Sequence, residues 1–76
     1  MQRNNQILIA RVLLAKAASR HMCDDVTAIL RRYIVAECRQ DEVEIEDCEM
    51  LMTDLDFDFF LPLFAAPSHR AVFFNI

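Results

Sequence analysis

Serine, histidine and cysteine side chains, which could attack a substrate or bind zinc, are few in this 76-residue chain. They are Ser19, His21, Cys23, Cys38, Cys48, Ser68 and His69. The cysteines lack the paired spacing of a zinc knuckle, and neither serine lies in a nucleophile motif. Ser68 precedes His69, but neighbours in sequence rarely reach hydrogen-bonded catalytic geometry. We therefore expect no metal site, no catalytic residue and no enzymatic activity.

Acidic side chains are abundant, and they are concentrated in one stretch that also carries aromatic rings. Nine lie between Asp41 and Asp58 with no lysine or arginine among them, and their spacing marks no two of them as sharing a pocket. In the run Asp54–Phe64, acids could steer a basic protein towards the chain while rings anchor it. The partner surface predicted from this pattern consists of Asp54, Asp56, Asp58, Phe57 and Phe60. The competing interpretation places Phe57 in the core.

The net charge of −4 is distributed unevenly along the chain. Residues 1–40 carry seven basic and three acidic side chains, a net charge of +4, whereas residues 41–76 carry one basic and nine acidic side chains, a net charge of −8. The acidic half disfavours nucleic acid as a ligand, and the basic half has no clustered aromatic residues to stack bases. The two halves can neutralise one another within the fold, or the acidic half can face a protein partner with a basic surface.

The cysteine count and the N-terminal segment bear on the compartment of the protein. An odd number of cysteines without framework spacing is typical of reduced thiols in a cytosolic protein. Residues 1–22 contain no acid, but Arg11 and Lys16 interrupt their apolar run. We expect neither a secretory signal core nor a membrane span there. The chain is predicted to be cytoplasmic and to have no membrane partner.

The elements that must position these residues are predicted to be helices, and the first is unusually apolar. Glycine is absent, so tight hairpin turns are disfavoured, and positions with positive φ should fall to Asn or Asp. The first helix is predicted from about Asn4 to Arg20, with apolar residues on nearly every face. A body this small cannot cover such a helix on all sides. We expect self-association through it, with Ile9, Leu13 and Lys16 at the oligomer contact.

A second helix is predicted from the helical spacing of apolar residues after residue 24. Either Asp24 or Asp25 can cap its free amides at the start. Its apolar face consists of Val26, Ile29, Leu30, Tyr33, Ile34 and Cys38. Arg39 suits the negative end of the helix dipole, so the helix is predicted to end near that residue.

The remaining half of the chain, residues 41–76, gives mixed signals. Residues 41–53 fit both strand-like alternation and a helical stripe, so a structured acidic loop with a short helical turn is predicted there. A further helix should begin at Phe59, with Pro62 near its first turn. The apolar tail 67–76 fits a strand or a helix equally. The fold predicted for residues 1–76 is a single, mainly α domain, a small bundle of three to four helices with a long acidic loop.

Residues 42–60, EVEIEDCEMLMTDLDFDFF, resemble the loop and prosthetic-group motif of acyl carrier proteins. That family shows an acidic stretch with an isoleucine, then a leucine, then Asp-Leu-Gly-x-Asp-Ser-Leu at the start of its second helix. Upstream, Val26–Arg39 is similar to the first helix of the family, at about the right distance. The resemblance implies a truncated acyl-carrier-type bundle in residues 24–66, with residues 1–22 as an additional N-terminal helix.

Departures from the family pattern remove the chemistry of a carrier. Phe59 stands at the position of the modified serine, flanked by Asp58 and Phe60, and phenylalanine has no hydroxyl oxygen to attack the phosphopantetheine donor. Asp56 replaces the usual glycine, and residues 60–66 are apolar where the second helix of the family is acidic. The resemblance therefore implies that this chain carries no prosthetic group and no other cofactor.

Three hypotheses for the function follow from these patterns. The leading one is a non-enzymatic protein-interaction module, a carrier-like adaptor without a prosthetic group that works as a homo-oligomer. The alternative is a small regulator or inhibitor, unrelated to carriers, that docks its acidic–aromatic segment on a basic partner. The third is a genuine acyl carrier.

Overall fold

The computed structural model describes residues 4–65, which form three helices with no strand among them. The helices are α1 (Asn4–Ser19), α2 (Asp24–Arg39) and α3 (Glu42–Ala65). This confirms the mainly helical fold and the predicted bounds of the first two helices to within one residue. The predicted strand or helix in the tail 67–76 lies outside the described residues.

Both connections between helices turn through a residue in the left-handed conformation. His21 has φ 52° after α1 and Gln40 has φ 57° after α2. At each turn two backbone N–H groups donate back to the last carbonyls of the preceding helix, as in a Schellman motif: Met22 to Ala17 at 3.0 Å, and Asp41 to Ala36 at 3.0 Å. The prediction that Asn or Asp would take the positive-φ positions was wrong, because the turn geometry falls on His and Gln.

The start of α2 differs from the predicted cap. Cys23 occupies the N-cap position and makes no side-chain cap hydrogen bond, while Asp24 and Asp25 lie in the first helical turn. Carboxylates there still interact favourably with the positive end of the helix dipole. The two aspartates therefore stabilise the helix end through charge, and the prediction that one of them is the capping residue was wrong.

The predicted acidic loop over residues 41–53 is not confirmed, because α3 begins at Glu42. Asp41 caps the helix: its Oδ1 accepts a hydrogen bond from the Glu44 N–H at 3.2 Å, and its carbonyl accepts one from the Ile45 N–H at 2.9 Å. A helical stripe of Ile45, Cys48 and Met52 is buried in the core. The strand-like alternation misled the prediction, since Val43 remains 73 % exposed.

A break at Asp56 divides α3 into two helical segments, residues 42–55 and 57–65. Asp56 has extended backbone angles, φ −166° and ψ 83°. Its Oδ1 accepts a hydrogen bond from the Phe59 N–H at 3.2 Å, which is the geometry of a second N-cap. The helix expected from Phe59 therefore begins two residues earlier. Pro62 lies in its second turn, not near its first as predicted.

The core is organised around α2, the central helix. α1 and α3 both pack against α2 and contact each other much less. Ala10 and Ala17 of α1 are fully buried, and such small side chains allow neighbouring helices to approach closely. The largest fully buried side chains are Tyr33, Phe60, Leu30, Ile45, Met52 and Cys48. No helix in the part of the chain described here is long and apolar enough to cross a membrane.

Candidate protein-interaction surface

The predicted partner residues divide between the surface and the core. Asp54 and Asp58 are exposed, Asp56 is half-buried as a cap, and Phe57 is 48 % exposed. The Phe57 ring stacks on Phe64 with the ring centroids 5.6 Å apart, so it lies on the surface and not in the core. Phe60 is 0 % exposed. Its assignment as a partner anchor is corrected, because the core holds its ring and no partner can reach it.

The position that the resemblance gives to the modified serine lies within the second segment of α3. Phe59 is half-buried, and its ring meets the Phe60 ring edge-on with centroids 5.3 Å apart. Its N–H is bound to the Asp56 cap. The side chain at this position therefore packs partly against the core, in the first turn after a helix N-cap.

The predicted oligomer residues all line one groove of about 270 Å³ between α1 and Pro62 of α3. Lys16 is exposed and Ile9 is half-buried, whereas Leu13 is only 3 % exposed and belongs to the core. The most exposed apolar side chains of the groove are Leu8, at 58 %, and Val12, at 54 %. Sequence reasoning did not choose these two residues, because an all-round apolar helix gives no sign of which face the core covers.

A second groove, which the sequence did not indicate, lies between α2 and the first segment of α3. Its volume is about 310 Å³. The residues that line it are Asp25, Ala28, Ile29, Arg32, Leu51 and Leu55. We call it the α2–α3 groove. Two features of the sequence belong to this groove. Ala28 is a small residue in the middle of one face of α2, and Leu51 and Leu55 are an i, i+4 pair on α3. Neither feature predicts a groove until the two helices are known to pack side by side.

One residue that lines the α2–α3 groove, Arg32, forms an ion pair with Glu44. The Arg32 Nε donates a hydrogen bond to the Glu44 Oε2 at 2.6 Å. This hydrogen bond lowers the pKa of Glu44 below its usual value of 4.5 and raises the pKa of Arg32. Because Glu44 neutralises the guanidinium, the positive charge of Arg32 contributes little to the potential of the groove.

The electrostatic character of the surface is set by α3. Residues 42–65 carry eight acidic side chains and no basic one, whereas residues 4–19 carry Arg11 and Lys16 and no acid. The surface of α3 is therefore strongly negative and that of α1 positive, and such fields steer the approach of charged partners.

The cysteines do not converge on one site. Cys23 and Cys38 are exposed and Cys48 is buried, all three as free thiols. Burial raises the pKa of the Cys48 thiol. No group of three histidine, cysteine or carboxylate side chains within residues 4–65 is arranged to hold a metal ion.

The surface therefore combines two apolar grooves, an exposed aromatic ring and a strongly acidic helix. Such a combination is suited to binding other macromolecules, since exposed apolar area gains free energy on burial and flanking charges select the partner. Comparison with known proteins gives no relative: no family model, no curated protein and no solved structure matches the chain.

Proposed function

We propose that this chain is a non-enzymatic protein-interaction module that docks the break in α3 on a partner with a basic surface. The observation that carries the proposal is the half-exposed Phe57 ring, which is flanked in sequence by Asp56 and Asp58 and preceded by exposed Asp54. A half-exposed aromatic ring beside exposed charges is typical of a binding anchor.

The acids and the ring have different roles in this proposal. Opposite charges across an interface mainly accelerate association, and salt screens them over roughly 10 Å at 0.1 M. A buried aromatic anchor mainly slows dissociation. Phe57 already lies on Phe64, so it is partly ordered before binding and loses little side-chain entropy when a partner covers it.

The test begins with affinity capture from cells that produce the protein, followed by binding kinetics with the captured partner. The variant Asp54→Asn/Asp56→Asn/Asp58→Asn removes three charges, and the asparagine at position 56 keeps an oxygen that can cap the helix. We expect its association rate to fall about tenfold at low salt and its salt dependence to flatten. The control Glu42→Gln/Glu46→Gln/Asp47→Asn removes the same charge from exposed positions at the other end of α3 and should have a smaller effect.

A second variant tests the anchor. Phe57→Ala should raise the dissociation rate about tenfold with little change in association. Circular dichroism must show that Phe57→Ala has the same helicity as the parent, because loss of the stacking on Phe64 could also loosen the second segment of α3. Equal effects of the two triple variants, together with an unchanged dissociation rate for Phe57→Ala, would contradict the proposal.

Carrier-like ancestry is a second proposal, and one feature supports it. A helical segment begins just after Asp56, close to the position that the resemblance gives to the modified serine; residues 42–55, however, are helical where that family has its loop. Phosphopantetheinyl transferase with coenzyme A should leave the mass of the parent unchanged and add the phosphopantetheine arm to Phe59→Ser. Modification of Phe57→Ser, the matched control, or no modification of Phe59→Ser would argue against this ancestry.

A further inference from the structure

We infer that the chain self-associates by placing an exposed ridge of α1 from one copy in the α2–α3 groove of a second copy. The ridge consists of Leu8, Val12 and Ala15. The inference goes beyond the proposed function, because the partner is another molecule of this chain and the contact residues, apart from Asp54, are different ones. Four observations carry it: the exposure of the ridge, the dimensions of the groove, the depth set by Ala28 and the opposite charges of the two surfaces.

The ridge of α1 is an unpartnered apolar row. Leu8 is 58 % exposed, Val12 is 54 % exposed and Ala15 is also exposed. These residues follow one another at i, i+4 and i+7, so they share one face of the helix. Burial of two such aliphatic side chains is favourable in proportion to the apolar area removed from water.

The groove has the length and spacing that this ridge requires. Its α2 wall runs from Asp25 to Arg32, seven residues or about 10 Å along the helix, which is the same span as Leu8 to Ala15. Its α3 wall presents Leu51 and Leu55 at the same i, i+4 spacing as the two large side chains of the ridge. This match is analogous to the packing of side-chain ridges of one helix into the grooves of another.

Ala28 sets the depth of the groove. It is exposed on α2 between Asp25 and Arg32, where any larger side chain would project into the space. The volume of about 310 Å³ is at the low end of the range of about 300–1,000 Å³ for small-molecule pockets. A groove this small and open to solvent suits a few protruding side chains of another helix.

The charges on the two surfaces are complementary. Helical spacing places Arg11 on one side of the ridge and Lys16 on the other, and both are exposed. The groove carries Asp25 on its α2 wall, and exposed Asp54 precedes Leu55 on its α3 wall. Arg32, which would repel a basic ridge, is neutralised by Glu44 at 2.6 Å. A basic ridge therefore complements the charge of the groove better than an acidic or a neutral one would.

The test measures self-association by sedimentation velocity between about 1 µM and 1 mM, a range that spans weak to moderate affinities. The parent should form dimers or larger species, and the association should weaken as salt is raised. Ala28→Leu fills the groove and Leu8→Glu places a charge on the ridge; each should weaken self-association at least tenfold. Both positions are exposed, so both variants should retain the helicity and melting behaviour of the parent. Ala18→Leu and Val43→Glu make the same chemical changes at exposed positions outside both surfaces and should leave self-association unchanged.

Mixing the two defective variants gives the decisive measurement. The Ala28→Leu copy keeps an intact ridge and the Leu8→Glu copy keeps an intact groove, so their mixture should form one-to-one heterodimers while each variant alone stays monomeric. A monomeric parent would overturn the inference, and so would a mixture that fails to associate. An α1 to α1 contact would be recognised by sensitivity to Leu8→Glu with no effect of Ala28→Leu, and it would also overturn the inference. All of these variants leave Phe57 and its neighbouring acids unchanged, so this inference and the proposed function can fail separately.

Discussion

The three thiols differ in how readily they should react, because only one of them is buried. The thiolate is the reactive form, and burial both blocks access to Cys48 and raises the pKa of its thiol. We expect a maleimide to modify exposed Cys23 and Cys38 quickly and Cys48 only when the fold opens. Mass spectrometry during a labelling time course should show two fast modifications and one slow one. Cys48→Ser should abolish the slow phase, and three equal rates would contradict the packing described for α3.

The same thiol gives a pH dependence with a definite sign. The usual pKa of the group is 9.0 and the folded protein raises it, so the unfolded chain loses its proton first as the pH rises. The folded state therefore binds more protons above about pH 9, and its stability falls as the pH increases. Urea unfolding at pH 8 and pH 10 should give a smaller decrease in the free energy of unfolding for Cys48→Ser than for the parent. An equal decrease in both proteins would rule out this contribution.

At the scale of the element, the cap at Asp56 decides where the second segment of α3 begins. Removing the capping oxygen in Asp56→Ala should cost about 0.5–2 kcal/mol of stability. Asp56→Asn is the matched control, since its side-chain oxygen can accept the same hydrogen bond from Phe59. Urea unfolding followed by circular dichroism measures both variants. Equal stability of the two variants would mean that core packing, and not the cap, holds the break in place.

The helices differ in how far the sequence alone could predict them. The extents of α1 and α2 were predictable because each is a long run rich in apolar residues without proline or glycine, whereas the residues at their ends were not, since Cys23, His21 and Gln40 take those positions. The extent of α3 was not predictable, since its acids and apolar residues satisfy both the strand period and the helix period. Burial of Ile45, Cys48 and Met52 against α2 settles the choice in favour of the helix, and that packing is a property of the tertiary structure.

The candidate surfaces could be predicted only in part, for the same reason. The acids of α3 follow from composition, but the exposure of Phe57 and the burial of Phe60 depend on how the second segment is rotated towards the core. The α2–α3 groove needs two helices side by side, so no single stretch of sequence contains it. The left-handed turns at His21 and Gln40 likewise follow from where the helices stop, and not from the preference of those residues for that conformation.

At the scale of the whole molecule, a core this small should be sensitive to single substitutions. Leu13 is 3 % exposed, and Leu13→Ala should cost about 2–5 kcal/mol, a large part of the stability of a small domain. Leu8→Ala, on the same helix but exposed, should change stability by about 0.5 kcal/mol or less. Urea unfolding, at a concentration where the protein is monomeric, measures the loss of stability in each variant. Similar losses would show that α1 packs in a different orientation.

The central place of α2 has a consequence for the order in which the chain assembles. The main packing surfaces join helices that are neighbours in sequence, so little loop-closure entropy opposes their formation and folding should take microseconds to milliseconds. Both packing surfaces include α2, so we expect it to be the part that is structured in the transition state for folding. Leu30→Ala in α2 should therefore slow refolding, whereas Leu63→Ala near the end of α3 should mainly accelerate unfolding. We therefore expect α2, which both other helices contact, to be structured before the end of α3 has fully docked.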